Sequence, residues 1–251
     1  MKAPKYLIRR KLCEHGGALS ERQILDFSAN LNPYGPPDFL SDAIEEAKQE
    51  IGKYPDSDAS ELRELLAAKF KRSSDEIIVA AGISELIYLV LLAFSPRRVI
   101  VLEHTYCAYE RVANIFGIPV KKVDMPALQI KAEKIAEAMK SEDLVFLCNP
   151  NNPTGQYLGR DAIEMLLDSA ERVSAMLVVD EAYVDFVQNA FPSHEICSKY
   201  AHSTLIYEII RHPRCENRLR YRIFRCNRGV KCCKTALECE HICTENRNRC
   251  S

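Results

Sequence analysis

Two adjacent acidic residues follow an apolar run that has the composition of a buried strand. The segment LVVDEAYVDFV, residues 177–187, places Asp180 and Glu181 directly after leucine and two valines. A charged carboxylate inside a protein core costs several kcal/mol unless a cation or hydrogen-bond donors meet it. The pair therefore indicates a cationic ligand at this strand end, or else a local role in which Asp180 caps a turn or pairs with a basic side chain.

Three other segments carry polar or aromatic residues where a strand runs into a helix or a loop. In AAGISEL, the N–H groups at a helix start and the hydroxyl of Ser84 suit an anion, although many helices begin this way only to cap themselves. In EHTYCAY, Tyr106 and Tyr109 could offer flat faces to a ring or simply pack. In CNPNNPTG, asparagines supply neutral donors and prolines fix the backbone that aims them.

Taken together, these segments describe a site for one kind of molecule. An anion site, an aromatic face, amide donors and a buried acid suit a phosphorylated aromatic ring that carries a positive charge, as in pyridoxal phosphate. Asp180 would then meet the protonated ring nitrogen.

The elements that must position these residues alternate along the chain. Apolar runs such as RRVIVLE, LVFLCNP, AMLVVDEAY and, earlier, EIIVAAG are separated by helical patterns such as RDAIEMLLDSAERV. A capping box of Asp58 and Glu61 precedes a further helix. Strands that are apolar on both faces and spaced by helices predict an α/β fold, with a mainly parallel sheet and flanking helices. Ligands then bind at the carboxyl ends of the strands.

Composition excludes several other classes of function. The 251 residues carry a formal net charge of -1, which gives no basic surface for nucleic acid. The longest apolar stretch, LIYLVLLAF, is too short to span a bilayer, so we expect a cytoplasmic protein with no membrane partner. Seven cysteines crowd between Cys215 and Cys250 without regular C-x-x-C pairs, and no metal site is predicted.

Four segments resemble the fold-type I pyridoxal-phosphate enzymes of the class I and II aminotransferase family: DFSANLNPYGPP, YPDSDASELRELLA, NPNNPTG and DEAYVDF. The resemblance covers roughly residues 12–190 and implies pyridoxal 5'-phosphate as the cofactor. It implies that Asp180 holds the ring nitrogen, that Tyr106 stacks on the ring, and that Asn152 and Tyr183 approach the ring hydroxyl.

The resemblance also assigns the phosphate end of the cofactor. Ile83 and Ser84 would hold the phosphate, with Ala-Ala-Gly before them where the family often has Gly-x-Gly. Tyr54 would reach the phosphate of a partner subunit's cofactor, which implies a homodimer.

The amino-terminal segment distinguishes two branches of the family. HGG, containing His15 and Gly16, and the later ILDFSANLNPYGPP, containing Asn32, resemble the branch that decarboxylates threonine phosphate to aminopropanol phosphate for cobalamin biosynthesis. These three residues are the candidate substrate contacts, and the substrate is a small phosphorylated amino acid or amino alcohol. Histidinol-phosphate aminotransferase, of histidine biosynthesis, is the alternative.

The family's Schiff-base lysine has no match in this chain, so no catalytic residue is assigned. The lysine belongs to an S-x-T-K segment after the DEAY strand, and a P-G-x-R-x-G-Y segment follows it. The nearest lysine, Lys199 in CSKYA, has different surroundings.

A shift of reading frame accounts for this absence. The codons permitted for STLIYEIIRHPRCENRL, read one nucleotide later, can spell L-R-S-F-T-K-S-Y-A-I-P-G-V-R-I-G-Y, in which the lysine overlaps the codon of Glu208. The hypothesis divides the chain into an amino-terminal segment (1–45), an incomplete cofactor-binding large domain (46–198) and an out-of-frame, disordered tail (199–251), with the small carboxyl-terminal domain missing. The chain as written would then be inactive, or a non-catalytic remnant.

Overall fold

The computed structural model describes residues 30, 39–191, 193 and 196, and the backbone strands 204–210 and 221–224. Its helices are α1 (Phe39–Lys48), α2 (Ser60–Phe70), α3 (Ile83–Phe94), α4 (Ala108–Ile115), α5 (Ala132–Ala138) and α6 (Arg160–Val173). Its strands are β1 (Arg98–Leu102), β2 (Val120–Val123), β3 (Asp143–Cys148), β4 (Met176–Asp180), β5 (Thr204–Ile210) and β6 (Tyr221–Phe224). Short 3-10 helices occupy Ser74–Glu76, Pro126–Leu128 and Val184–Phe186.

The strands form a single six-stranded sheet in the order β2-β1-β3-β4-β5-β6. Every neighbouring pair is parallel except β5 and β6, which are antiparallel. The predicted α/β fold with a mainly parallel sheet and flanking helices is therefore confirmed. Because the strands run the same way, the loops after β1, β3 and β4 meet at one edge of the sheet.

Alternate residues of each central strand fill two separate cores, one on each face of the sheet. Val99 and Val101 of β1 pack with α3 and α4, whereas Ile100 and Leu102 pack with α5 and α6. Phe146 of β3 belongs to the first core. Such alternation of two apolar sets explains why these strands read as continuous apolar runs in the sequence.

At the amino ends of the strands, β1 and β3 are joined by a partly buried ion pair. The Arg98 guanidinium donates to both oxygens of Asp143, at 3.0 and 2.5 Å, and to the carbonyl of Ala138 at 2.9 Å. Asp143 is only 3% exposed. The hydrogen bond to its carboxylate raises the pKa of Arg98, and burial, the next largest cause, opposes this shift. This pair fixes the relative register of the two central strands at their amino ends.

Two local predictions are wrong. The run EIIVAAG is not a strand: its first residue, Glu76, ends a 3-10 helix that has a capping box with Ser73, and residues 77–80 pair with no strand in the described part of the chain. Helix α2 is not capped by Asp58; the Asp56 carboxylate instead accepts from the N–H of Ser60 at 2.6 Å and from that of Asp58 at 2.9 Å. The division at residues 45 and 198 stays a prediction, and β5 and β6 lie within the segment that it assigns to a disordered tail.

Candidate functional site

The two carboxylates after β4 have different partners. Asp180 is 2% exposed; its Oδ1 accepts from the N–H of Ala182 at 3.0 Å, and its Oδ2 accepts from the Tyr109 hydroxyl at 2.5 Å. Glu181, equally buried, accepts from the N–H of Ser193 at 3.3 Å and from its hydroxyl. Asp180 is thus held by donors at both oxygens at the carboxyl end of β4, whereas Glu181 anchors the segment that follows.

Tyr109 lies underneath the site and does not offer a face to it. Its ring stacks on that of Phe146, with centroids 4.7 Å apart and planes 4° apart. The rings of Tyr109 and Tyr106 meet edge-to-face, with centroids 5.5 Å apart. Tyr109 is completely buried, so the prediction that it could present a flat face to a ligand is wrong. A buried phenol needs a partner for its hydroxyl, and Asp180 supplies it. Tyr106 is half-buried in the same turn, and its role as the ring face stays a prediction.

The three asparagines after β3 divide into scaffold and ligand-facing residues. Asn149 exchanges two hydrogen bonds with the backbone of Leu158, at 3.0 and 2.7 Å. Asn151 donates to the His104 carbonyl and accepts from the Thr105 hydroxyl, so it joins the loop after β3 to the loop after β1. Asn152 is half-buried, and no residue in the described part of the chain hydrogen-bonds its side chain. Its amide is therefore the one available to a ligand.

The start of α3 provides the candidate phosphate cradle. Gly82 takes φ 97°, a conformation that favours glycine, and leads into the helix, whose first N–H groups have no partner within the helix. Ile83 belongs to the same core cluster as Tyr109 and Cys148, on one face of the sheet. The Glu85 carboxylate accepts from the N–H of Ala81, which leaves the N–H groups of Ile83 and Ser84 for an anion.

The remaining assigned residues are placed as follows. Tyr183 is half-buried in the turn after β4, with its ring 6.4 Å from that of Phe186. Tyr54 is fully exposed between α1 and α2, and no described residue bonds to it. The candidate substrate contacts His15, Gly16 and Asn32 lie outside the described residues. The structure places Tyr106 against Tyr109 and Tyr109 against Asp180, and all the assigned site roles stay predictions.

These residues fit pyridoxal phosphate. A protonated pyridine nitrogen is both a cation and a hydrogen-bond donor, and Asp180 offers a buried carboxylate, which accepts such donors. The cradle at α3 suits a phosphate, and Tyr106 suits an aromatic ring. Within the described residues, no group of three His, Cys, Asp or Glu side chains could hold a metal ion. In that same part of the chain, no helix is long and apolar enough to cross a membrane.

Comparison with known proteins agrees with this geometry. The family model of aminotransferase class I and II matches residues 22–207. Threonine-phosphate decarboxylase of Salmonella typhimurium is 31% identical over 186 residues, covering 69% of this chain and 51% of that protein. Histidinol-phosphate aminotransferase of Limosilactobacillus fermentum is 33% identical over 183 residues, covering 70% of this chain and 50% of that protein. The chain thus spans about half the length of these relatives.

A solved structure shows the same fold. L-threonine-O-3-phosphate decarboxylase from Porphyromonas gingivalis superposes with a TM-score of 0.66 at 24% identity, covering 84% of this chain and 60% of that one. The family match extends over the strands and loops that carry Asp180, Asn152, Tyr106 and the α3 cradle. The chain belongs to the class I and II aminotransferase family of pyridoxal-phosphate-dependent enzymes.

Proposed function

We propose that this chain carries the cofactor-binding part of an enzyme that decarboxylates L-threonine O-3-phosphate to aminopropanol phosphate, a step of cobalamin biosynthesis. The observation that carries the proposal is the 31% identity with a threonine-phosphate decarboxylase over 186 residues. The geometry supports the cofactor half of it: Asp180 is a buried acid held ready for a ring nitrogen.

In this proposal each residue has a defined task. Pyridoxal phosphate supplies an electron sink that stabilises the negative charge left on the α-carbon when a bond to it breaks. Asp180 keeps the proton on the ring nitrogen, and Tyr106 lies against the ring. Asn152 and Tyr183 bond the ring hydroxyl, while Ile83 and Ser84 bind the phosphate through the start of α3. His15, Gly16 and Asn32 contact the substrate.

Histidinol-phosphate aminotransferase is the second candidate, favoured by the 33% identity with the Limosilactobacillus fermentum protein. The two reactions share every cofactor contact described above and differ in which bond at the α-carbon breaks. Only the decarboxylase releases carbon dioxide, and only the aminotransferase needs a keto-acid acceptor. The products therefore separate the candidates even though the cofactor contacts do not.

We further propose that a frameshift before about residue 203 removed the lysine, leaving the chain as written inactive. The register of β5 supports it, because β5 pairs in parallel with β4 so that Tyr207 lies opposite Asp180. The shifted frame reads lysine across the next codon, that of Glu208, on the strand beside the buried acid. If the frame is instead genuine, the chain is a non-catalytic remnant.

A homodimer in the cytoplasm completes the proposal. Helix α1 has no buried residue, and Tyr54 is fully exposed. A second protomer that covered this surface would bring Tyr54 towards a neighbouring cofactor.

The test begins with resequencing of the DNA across codons 185–215. A one-base correction that restores S-x-T-K is expected, and the corrected protein should release carbon dioxide from threonine phosphate without a keto acid. In that protein, Asp180→Asn keeps the shape but loses the charge, and should slow release roughly a hundredfold. A corrected protein that instead transaminates histidinol phosphate, or an Asp180→Asn variant at full rate, would refute the assignment.

A further inference from the structure

Tyr109 is completely buried and donates a 2.5 Å hydrogen bond to Asp180, yet the proposed function gives it no task. We propose that Tyr109 is a positioning residue, which holds Asp180 as an anion and in a fixed orientation before the cofactor binds. The inference rests on the proposed role of Asp180, because it concerns how that carboxylate is prepared for the ring nitrogen.

The position of the Tyr109 hydroxyl is fixed by packing on both sides of its ring. Phe146 of β3 stacks on one face at 4.7 Å, and Tyr106 meets it edge-on at 5.5 Å. The surrounding core leaves the ring no exposed surface. A phenol held in this way has little rotamer freedom left to lose when it bonds Asp180, so it supplies a pre-oriented donor.

The second carboxylate oxygen is held by the backbone. The N–H of Ala182 donates to Oδ1 at 3.0 Å, and the hydroxyl of Tyr109 donates to Oδ2. Two donors on different oxygens fix the plane of the carboxylate as well as its place. Hydrogen bonds to the charged form of an acid favour that form, which offsets the cost of burying it.

Cys148 and Glu181 are the other titratable side chains described around Asp180, and Cys148 interacts with both members of the Tyr109–Asp180 pair. Cys148 lies opposite Asp180 on β3, where its thiol donates to the Pro150 carbonyl, and burial raises the pKa of Cys148 so that it stays neutral. Tyr207 is the register partner on β5. Glu181, next along the chain, is bonded by Ser193.

Tyr109 itself remains a proton donor at any physiological pH. Burial, and after it the charge of Asp180, raises the pKa of Tyr109 well above its ordinary value. In the pair, the phenol therefore keeps its proton and is the donor, and the Asp180 carboxylate is the acceptor.

The consequence is a pH dependence with a definite sign. Without the Tyr109 hydroxyl, the buried carboxylate loses a donor that favours its charged form, so Asp180 takes up a proton at a higher pH. A protonated Asp180 has no charge to hold a ring cation. Cofactor affinity should therefore begin to fall at a higher pH in Tyr109→Phe than in the unchanged chain, whereas loss of packing alone would weaken binding equally at every pH.

The experiment measures the affinity of the full chain for pyridoxal phosphate between pH 5 and 8, by spectroscopic titration without substrate. Tyr109→Phe should bind about tenfold more weakly than the unchanged chain at the acid end, with the difference shrinking towards pH 8. Asp180→Asn should bind weakly throughout, and its profile records the titration of the cofactor's own phosphate. Tyr157→Phe, which loses a hydroxyl that accepts from the N–H of Phe191, is the matched control and should follow the unchanged chain.

Each outcome has a separate meaning. If Asp180→Asn weakens binding but Tyr109→Phe follows the unchanged chain at every pH, or weakens it by a constant factor, the positioning role is wrong and the proposed function stands. If the unchanged sequence binds no more tightly than Asp180→Asn, in the chain as written and equally in the frame-corrected protein, the cofactor role of Asp180 fails and this inference fails with it.

A second variant covers the case in which Tyr109→Phe does not fold. Site-specific 3-fluorotyrosine at position 109 keeps the ring and its stacking on Phe146, and its more acidic phenol is a stronger donor. It should move the acid-side loss of affinity to a lower pH, opposite to the effect of Tyr109→Phe. An unshifted profile for this variant would overturn the inference.

Discussion

Asn151 and Asn152 are adjacent in sequence but should respond to truncation in different ways. Asn151 is 2% exposed and makes three side-chain hydrogen bonds: to the His104 carbonyl at 2.8 Å, to the Thr154 hydroxyl at 2.8 Å and from the Thr105 hydroxyl at 2.7 Å. Asn152 is half-buried and has no side-chain bond to any described residue. The pair thus separates scaffold from cofactor binding at neighbouring positions.

The magnitudes follow from these contacts. A neutral hydrogen bond contributes about 1 kcal/mol net, and the three partners of Asn151 are only partly shielded from water, so Asn151→Ala should cost about 2–3 kcal/mol of unfolding free energy. Asn152→Ala should cost less than about 0.5 kcal/mol. The affinity for pyridoxal phosphate should respond in the opposite way. Asn152→Ala removes a direct contact worth about tenfold in affinity, whereas Asn151→Ala acts only indirectly, by loosening the loop beside Tyr106.

Urea unfolding of the full chain, followed by far-ultraviolet circular dichroism without cofactor, measures the first quantity. Spectroscopic titration with pyridoxal phosphate at 25 °C measures the second. An unfolding midpoint for Asn151→Ala equal to that of the unchanged chain would refute the scaffold role. A loss of stability in Asn152→Ala as large as that in Asn151→Ala would refute the division between the two residues.

Two further predictions concern groups away from the cofactor contacts. Arg98→Met removes the bidentate partner of Asp143, whose carboxylate stays buried, and should lower the unfolding free energy by about 3–5 kcal/mol; a urea midpoint within error of the unchanged chain would contradict this. The thiol of Cys148 is buried and its pKa is raised by that burial, so iodoacetamide at pH 8 should leave the Cys148 peptide unlabelled by mass spectrometry until urea is added. Labelling of the folded chain there would show that the core beneath Asp180 is open.

The elements that the sequence predicts correctly are those with strong apolar periodicity. Helix α6 has buried residues at Ile163, Leu166, Leu167 and Ala170, the three- and four-residue spacing of one helix face. Strands β1, β3 and β4 are apolar on both faces. Strand β2 was not predicted, because Val120–Val123 carries two lysines and lies at the edge of the sheet, where charge is tolerated and protects the free edge.

The sequence predicted the site only through unusual residues at the ends of strands. Asp180 stands out because an acid after an apolar run is unusual. The orientation of Tyr109 cannot be read from the sequence, because it depends on tertiary packing: α4 begins at Ala108, and Phe146 stacks on the ring. For the same reason the sequence could not tell Asn151 from Asn152: the partners of Asn151 lie in the loop after β1, 46 and 47 residues away.

The contacts that orient the candidate site all lie within one continuous part of the fold. Asp180 is held by Tyr109 and Ala182, and the loop before α4 is joined to the loop after β3 by Asn151. None of these contacts uses a residue beyond β4 and the turn that follows it. These particular hydrogen bonds therefore need no residue of the strand that would carry a lysine. Substitutions at Asp180 or Tyr109 should therefore change cofactor binding in either reading frame, whereas turnover, which Asp180→Asn also slows, requires the corrected frame.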